Sequence, residues 1–175
     1  MRDNILVVGG YGQVGQVVAT RLATRFPGRV IVAGRNMARA AALANTTQGR
    51  IAPLQLDLAD VPGCVSALDN VQLAIVCLEQ NNVAFARACL ERGIHYIDIS
   101  ASYHILQQIE TFDDLARQHG ASAILSVGLA PGLTNLLARY LNDLLDTTET
   151  IIGTALGGAC EACRWYLRDC AVDRR

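Results

Sequence analysis

The sequence predicts an α/β fold, in which a doubly wound parallel sheet carries helices on both faces. Short β-branched runs alternate with amphipathic stretches along its 175 residues, which is the pattern of β-α-β units. A glycine-rich turn also follows the first of these runs, within the first 15 residues. A chain of this length corresponds to about one domain and can bury a core of its own.

The periodicity of apolar residues predicts each element in turn. Strands are expected at about 4–8, 29–33, 51–56, 73–78, 95–98 and 123–127. Helices are expected at about 13–25, 37–45, 62–69, 81–92, 104–119 and 132–145.

Two helices carry clear local signals. In the first, Val14, Val18 and Leu22 recur every fourth residue, so this stripe is expected to pack on the sheet. In the fourth, Asn82 is predicted as the N-cap and Gly93 as the C-cap.

The glycine-rich turn lies within residues 7–18, VVGGYGQVGQVV. Gly10, Gly12 and Gly15 fit the G-x-G-x-x-G pattern of the Rossmann fold, and Gly9, Gly12 and Gly15 fit the G-x-x-G-x-x-G of short-chain dehydrogenase-like folds. Both patterns bind dinucleotides, because glycine lets a diphosphate approach the free N–H groups of a helix N-terminus. In the Rossmann arrangement Gly10 allows the tight turn, Gly12 leaves room for the pyrophosphate, and Gly15 lets the helix press on the strand.

The end of the second strand indicates which dinucleotide is preferred. An NAD site normally has an Asp or Glu there to bind the ribose 2′-hydroxyl, but this strand ends in Ala-Gly-Arg-Asn at 33–36. Arg35 can pair with a 2′-phosphate and stack on adenine, Asn36 can add a donor, and Arg39 can add charge. No carboxylate occurs between Asp3 and Asp57, so this region is positive. The sequence therefore predicts NADP(H) as the cofactor.

Other strand ends are expected to complete the cofactor cleft. Asp57 is placed to accept the adenine amino group, with Leu58 beside the ring, although an N-cap role for Asp57 is an equal alternative. Cys77 and Leu78 end the fourth strand, at the edge where such sheets hold ligands. The predicted cofactor-binding residues are Gly10, Gly12, Gln13, Val14, Gly15, Arg35, Asn36, Asp57, Leu58, Cys77 and Leu78.

Composition excludes several classes of function. All 15 cationic side chains are arginine, so a catalytic lysine and the Tyr-x-x-x-Lys pair of short-chain dehydrogenases are impossible. The net charge of −1 gives no general attraction to nucleic acid or membrane, and no apolar run is long enough to span a bilayer. Cys160-x-x-Cys163 is a single pair without nearby histidines, so no metal site is predicted. Because the sequence starts directly with a strand-like run and shows no signal peptide, a reducing cytoplasm is expected.

Four segments resemble the saccharopine dehydrogenase and carboxynorspermidine reductase family: GGYGQVG, AGRN, ACLERGIHYIDIS at 88–100, and GLAPGLTNLLAR at 128–139. The resemblance implies a Rossmann domain followed by a domain that supplies the substrate site and dimer contacts. It also implies imine reduction by hydride transfer from the nicotinamide, with an amine or amino-acid-like substrate. Asp98, Ser100 and residues 128–135 would then lie near the nicotinamide, and Asp98 and Ser100 are the predicted catalytic residues. Alternatively, Asp98 is a helix cap. Ala130 stands where some members have an acidic residue, which argues against their usual amino-acid substrates.

The domain prediction follows from the same resemblance. Residues 1–148 are predicted to form the NADP-binding Rossmann domain, and residues 149–175, with a lone Trp165, the start of a truncated second domain whose remainder is absent. The predicted function is an NADP-dependent oxidoreductase acting on a C=N or CH–NH bond, although turnover by this chain alone is doubtful. The alternative is a non-catalytic NADP-binding sensor or module. A homo-oligomer, a dimer, is expected because apolar surface left open seeks a partner.

Overall fold

The computed structural model describes residues 2–100, 102–128 and 132–147. Strands in these ranges are β1 (Asn4–Val8), β2 (Val30–Gly34), β3 (Ile51–Gln55), β4 (Val71–Val76), β5 (His95–Asp98) and β6 (Ala123–Ile124). Helices are α1 (Gln13–Arg25), α2 (Met37–Asn45), α3 (Val61–Ala67), α4 (Ala84–Glu91), α5 (Tyr103–Glu110), α6 (Asp113–Gln118) and α7 (Leu133–Asp143).

The strands form one parallel sheet in the order β3-β2-β1-β4-β5-β6. β1 is central, with Val7 paired to Val32 of β2 on one side and to Ile75 of β4 on the other. The chain winds outward from β1 to β3 and then returns to continue on the opposite side at β4. The carboxyl ends of β1 and β4 therefore flank a topological switch point, where open α/β sheets hold their ligands.

Both faces of the sheet are buried, as predicted. Leu6 and Val8 of β1 belong to one apolar cluster, which includes residues of α3, α4, α5 and α6. Ile5 and Val7 belong to a second cluster on the other face, formed with α1 and α2. Consecutive residues of a strand point to opposite faces, so a continuous apolar run such as β1 serves both layers.

The buried stripe of α1 differs from the predicted one. Gly15, Ala19 and Ala23 are buried, whereas Val14 is 54% exposed. Val18 and Leu22 are half-buried beside the core. The reason is the close approach of the helix, since a Cβ on Gly15 would overlap the carbonyl oxygen of Gly9. The positions of α1 nearest the sheet therefore carry Gly or Ala, and Val18 and Leu22 pack beside them.

The predicted helix at 104–119 is two helices, α5 and α6. Thr111 and Phe112 separate them, with the Thr111 hydroxyl donating to the carbonyl of Gln108 at 2.7 Å. The break lets Phe112 pack against the core. The apolar period continues through the turn, which is why the sequence suggested one helix.

Smaller differences concern element ends. α4 begins at Ala84 with Val83 as its N-cap, and Asn82 instead accepts a hydrogen bond from the Ala84 N–H at 3.0 Å. The C-cap of this helix is Arg92 and not Gly93 as predicted, and Gly93 follows it with a φ of +69°. The predicted strand at 123–127 contains only two paired residues, Ala123 and Ile124.

The chain divides into two compact units, residues 1–125 and 126–175. In the described part of the second unit, α7 and the two residues that follow it expose large apolar side chains: Leu133, Leu136, Leu137, Tyr140, Leu141, Leu144 and Leu145. The predicted domain boundary at 148/149, Trp165 and the Cys160–Cys163 pair lie outside the described residues. No helix among the residues described is both long and apolar enough to cross a bilayer.

Candidate cofactor-binding site

The glycine loop between β1 and α1 lies at the switch point of the sheet. Gly9 has a φ of +73°, donates its N–H to the carbonyl of Ala33 and accepts from the Gly12 N–H at 2.9 Å. This hydrogen bond closes a turn over residues 9–12 in which Gly10 is the first central residue, and Gly9 takes the left-handed conformation at its start. A glycine at position 10 is also required for packing, because its Cβ would lie 2.8 Å from the carbonyl oxygen of Val7.

Gly12 is the N-cap of α1 and leaves the space beside it open. Its φ of −75° and ψ of 174° suit any residue, and its Cβ would approach only the Gly9 carbonyl oxygen, at 3.2 Å. The first turn of α1, Gln13 to Gly15, carries N–H groups without partners in the helix and contains no acidic residue. The positive end of the helix dipole is therefore free to attract an anion.

The β2–α2 turn brings two arginines to the carboxyl end of β2. Arg35 and Arg39 are both exposed. Asn36 is the N-cap of α2, where its Oδ1 accepts from the Arg39 N–H at 3.0 Å. Within the described residues, ion pairs join only Arg87 to Glu91, Arg117 to Asp113 and Arg139 to Asp143. The charges of Arg35 and Arg39 are therefore not neutralised by a carboxylate there.

Tyr11 links the glycine loop to this turn and was missed by the sequence reasoning. Its hydroxyl accepts from the Asn36 N–H at 3.0 Å. The Arg39 guanidinium carbon lies 4.8 Å from its ring centroid, and Nη2 of Arg39 is 3.5 Å from its carbonyl oxygen. A Cβ on Gly34 would lie 2.5 Å from the Tyr11 hydroxyl oxygen, so the ring covers that glycine.

At the end of β3, Asp57 is exposed and its Oδ1 accepts from the Ala59 N–H at 3.0 Å. The N-cap of α3 is Asp60, which accepts from the Gly63 N–H at 3.2 Å. The alternative reading of Asp57 as this N-cap is therefore wrong. Leu58 is half-buried and packs against the core.

At the end of β4, Cys77 and Leu78 contact the glycine loop. A Cβ on Gly9 would lie 3.0 Å from the Cys77 carbonyl oxygen and 3.3 Å from Cδ2 of Leu78. Burial, reinforced by the negative charge of Asp98, raises the pKa of the Cys77 thiol to about 11. The side chain of Cys77 is therefore a neutral thiol at physiological pH.

Asp98 ends β5 at the centre of a buried polar cluster, which consists of Gln80, Tyr96, Asp98 and Ser100. Its Oδ2 accepts from Nε2 of Gln80 at 2.7 Å and from the Tyr96 hydroxyl at 2.9 Å, and its Oδ1 accepts from the Ser100 N–H at 2.6 Å. Asp98 is fully buried, and it caps no helix because α5 begins at Tyr103. Burial above all, and then the negative charge of Asp98, raises the pKa of Tyr96, so this hydroxyl stays a donor.

Two atoms of this buried cluster have no hydrogen-bond partner among the described residues, Oε1 of Gln80 and Oγ of Ser100. Gln80 was not predicted from the sequence, where it is one polar residue of a loop. The cluster fixes the ends of β4 and β5 beside the switch point, because buried carboxylates that accept several hydrogen bonds hold their donors strongly.

The turn predicted near the nicotinamide belongs to the second unit. Gly132 has a φ of +126°, and the Leu133 N–H donates to the Gly128 carbonyl at 2.8 Å. Ala130 lies outside the described residues, and the predicted proximity of residues 128–135 to Asp98 stays a prediction. No group of three potential metal ligands occurs among the described residues.

Comparison with known proteins identifies relatives of this chain. The family model for the saccharopine dehydrogenase NADP binding domain matches residues 5–124. Carboxynorspermidine synthase of Vibrio cholerae is 28% identical over 176 residues, which cover 85% of this chain and 42% of that protein.

Solved structures share the fold. Apo saccharopine dehydrogenase (L-Glu forming) from Saccharomyces cerevisiae superposes with a TM-score of 0.67 and 24% identity, over 81% of this chain and 31% of that one. A short-chain dehydrogenase from Sphingobium yanoikuyae in complex with NADPH superposes with a TM-score of 0.52 and 16% identity, over 70% of each chain. Quinate dehydrogenase from Corynebacterium glutamicum in complex with NAD superposes with a TM-score of 0.52 and 20% identity, over 74% of this chain and 46% of that one. The chain thus spans less than half the length of the carboxynorspermidine synthase and of the saccharopine dehydrogenase.

Proposed function

Because the chain belongs to the saccharopine dehydrogenase NADP-binding domain family, we propose that it binds NADP(H) as the cofactor domain of an oxidoreductase. The reaction is hydride transfer at a C=N or CH–NH bond of an amine or amino-acid-like substrate. The observation that carries the proposal is the glycine loop at the β1/β4 switch point, which leads directly into an α1 N-terminus without acidic residues.

The diphosphate is proposed to lie over Gly12 and the first turn of α1. Gly12 leaves open space, while Gln13, Val14 and Gly15 present N–H groups along the positive end of the helix dipole. Gly10 and Gly15 are proposed to shape the loop, because a side chain on Gly10 would collide with the Val7 carbonyl of β1 and one on Gly15 with the backbone of Gly9 and Gly10.

NADP(H) is proposed over NAD(H) because of the charges at the end of β2. An NAD site needs an acceptor for the ribose 2′-hydroxyl, and Gly34 provides no side chain there. Arg35 and Arg39 are exposed and have no carboxylate partner in the described part of the chain. Guanidinium groups bind phosphate through paired N–H donors, so this turn favours the 2′-phosphate.

The remaining residues are proposed to line the adenine and nicotinamide ends. Asp57 and Leu58 lie at the end of β3, on the adenine side of the sheet, and Cys77 and Leu78 lie at the end of β4. Asp98 ends β5 and Ser100 follows that strand, on the proposed nicotinamide side. Since Asp98 is fully buried, we propose that it supports this end through the Ser100 backbone. A cytoplasmic location and a dimer remain predictions.

Calorimetric titration of the folded chain with NADPH and NADH tests this function. We expect both to bind, NADPH more tightly by about tenfold or more, which is the scale of a hydrogen bond to a charged group. Adenosine 2′,5′-bisphosphate should bind more tightly than 5′-AMP, because only the former carries the 2′-phosphate. Equal or tighter binding of NADH would contradict the preference, and no heat from any adenine dinucleotide would contradict the proposal as a whole.

A further inference from the structure

We propose that Tyr11 is a specificity-determining residue, which holds the Arg39 guanidinium beside the ribose 2′-phosphate. This inference rests on the proposed function, because it concerns the choice between two forms of the same cofactor. The evidence is a series of contacts from the glycine loop to α2, in which Tyr11 contacts Gly34, Asn36 and Arg39.

The first contacts in this series fix the tyrosine ring. Tyr11 lies between Gly10 and Gly12, and its hydroxyl accepts from the Asn36 N–H at 3.0 Å. The ring covers Gly34, where even a methyl group would lie 2.6 Å from Cε1. The ring is half-buried and touches the apolar cluster beneath α1 and α2. A side chain held at both its body and its tip has little freedom to move.

The second part fixes the arginine. The Arg39 guanidinium carbon lies 4.8 Å from the Tyr11 ring centroid, a cation–π distance, and Nη2 is 3.5 Å from the Tyr11 carbonyl oxygen. The backbone of Arg39 is held as well, since its N–H donates to Oδ1 of Asn36 at 3.0 Å. Among the described residues no carboxylate binds this guanidinium, so its N–H groups that face away from Tyr11 can bind an anion.

Holding the arginine matters because its side chain has many conformations. Ordering a free arginine on binding costs up to about 2 kcal/mol of rotamer entropy. Stacking on Tyr11 removes part of this freedom before the cofactor arrives, so less rotamer entropy is lost when the cofactor binds. The effect is restricted to cofactors with a 2′-phosphate, since NAD(H) offers Arg39 no anion at that position.

The test measures dissociation constants for NADPH, NADH and adenosine 2′,5′-bisphosphate with the full 175-residue chain. Tyr11→Leu removes the ring face and keeps an apolar side chain, Tyr11→Phe removes only the hydroxyl, and Arg39→Gln removes the charge. The double variant Tyr11→Leu with Arg39→Gln measures the coupling between the two residues. Tyr140→Leu is the matched control, because Tyr140 is 61% exposed on α7. Circular dichroism confirms that each variant is folded.

We expect Tyr11→Leu to weaken NADPH and the bisphosphate by about fivefold, with NADH changed by less than about twofold. Tyr11→Phe keeps the ring over Arg39 and should lose about twofold. In the Arg39→Gln background, Tyr11→Leu should have no further effect on NADPH. Tyr140→Leu should match the wild type for all three ligands.

Several outcomes would overturn the inference. If wild type prefers NADPH but Tyr11→Leu weakens NADH and NADPH equally, Tyr11 acts on the loop and not on Arg39. If the losses from Tyr11→Leu and Arg39→Gln simply add, the two residues are independent. If Tyr11→Leu strengthens binding of both cofactors, the ring obstructs the site. If wild type shows no preference for NADPH, the proposed NADP(H) preference fails as well, which separates that failure from the first three.

Discussion

A methyl group at Gly12 tests whether the glycine loop admits a ligand or only lets the chain fold. The φ of −75° and ψ of 174° at this position are allowed for alanine. The new Cβ would approach only the Gly9 carbonyl oxygen, at 3.2 Å, a contact relieved by a shift of a few tenths of an ångström. Gly12→Ala should therefore fold, while placing a methyl group where the diphosphate is proposed to lie.

The magnitudes separate stability from binding. Replacing glycine restricts the unfolded chain and stabilises the fold by about 0.4 to 1 kcal/mol, whereas alanine is a poorer N-cap than glycine by roughly 1 kcal/mol. These two effects offset each other, so the free energy of unfolding should change by less than about 1 kcal/mol. A diphosphate pushed away from the helix N-terminus loses at least one charged hydrogen bond, about 1.5 to 3 kcal/mol, which weakens NADPH roughly 10- to 100-fold.

Urea denaturation measures the free energy of unfolding, and calorimetric titration measures the affinity for NADPH. Gly28→Ala is the control for a glycine outside the site: its φ of +77° makes alanine strained and its surroundings are empty, so stability should fall by about 1 kcal/mol while binding is kept. Gly15→Ala is the opposite control, since its Cβ would overlap the Gly9 carbonyl and should damage both properties. A stable Gly12→Ala variant that binds NADPH as wild type does would refute the proposed position of the diphosphate.

Three further predictions concern single side chains. Arg35→Ala should weaken NADPH by about 1.5 to 3 kcal/mol and leave NADH unchanged in titrations, with the exposed Arg21→Ala as control; equal losses for both cofactors would contradict it. Asp98→Asn places an amide N–H donor among the buried groups that donate to this carboxylate, such as Gln80 and Tyr96. It should therefore lower the free energy of unfolding by about 3 kcal/mol in urea denaturation. An unchanged midpoint would show that the carboxylate is not needed. Burial raises the pKa of Cys77 from 9.0 to about 11, so its thiolate is disfavoured in the folded state. The stability that this thiol contributes is complete below pH 9 and is lost as the pH rises towards 11. Peptide mapping should find Cys77 alkylated more slowly at pH 8 than free cysteine, and equal rates would refute the shift.

The first half of the sheet could be predicted closely from the sequence because its signals are local. The predicted helices at 13–25 and 37–45 have the bounds of α1 and α2. A glycine at the N-cap precedes the first, and an asparagine caps the second. Such signals depend on a few adjacent residues and not on distant parts of the fold.

Predictions that required knowledge of packing were less successful. The side of α1 that faces the sheet is set by how closely the helix approaches, and this depends on the shape of the Gly9–Gly10 backbone. The break at Phe112 likewise follows from space in the core and not from a glycine or proline. A continuous apolar period contains no information about either feature.

The candidate site shows the same division. The glycines and Arg35 stand out because a motif and a missing carboxylate are visible in the sequence itself. Tyr11 and Gln80 do not stand out, because their contacts are with distant residues. Tyr11 contacts Asn36, 25 residues away, and Gln80 contacts Asp98, 18 residues away. A tyrosine between two glycines and a glutamine in a loop have no periodicity that would reveal those contacts. The binding roles of the predicted residues themselves remain predictions.

The close fit of the Tyr11 ring over Gly34 restricts the routes by which cofactor preference can evolve. One route towards NAD places an acidic side chain at position 34, the last residue of β2, but a Cβ there would lie 2.5 Å from the Tyr11 hydroxyl oxygen. An Asp at 34 is therefore disfavoured until a smaller residue has replaced Tyr11. Libraries that vary both positions together should yield cofactor-switched variants that one-at-a-time mutagenesis misses.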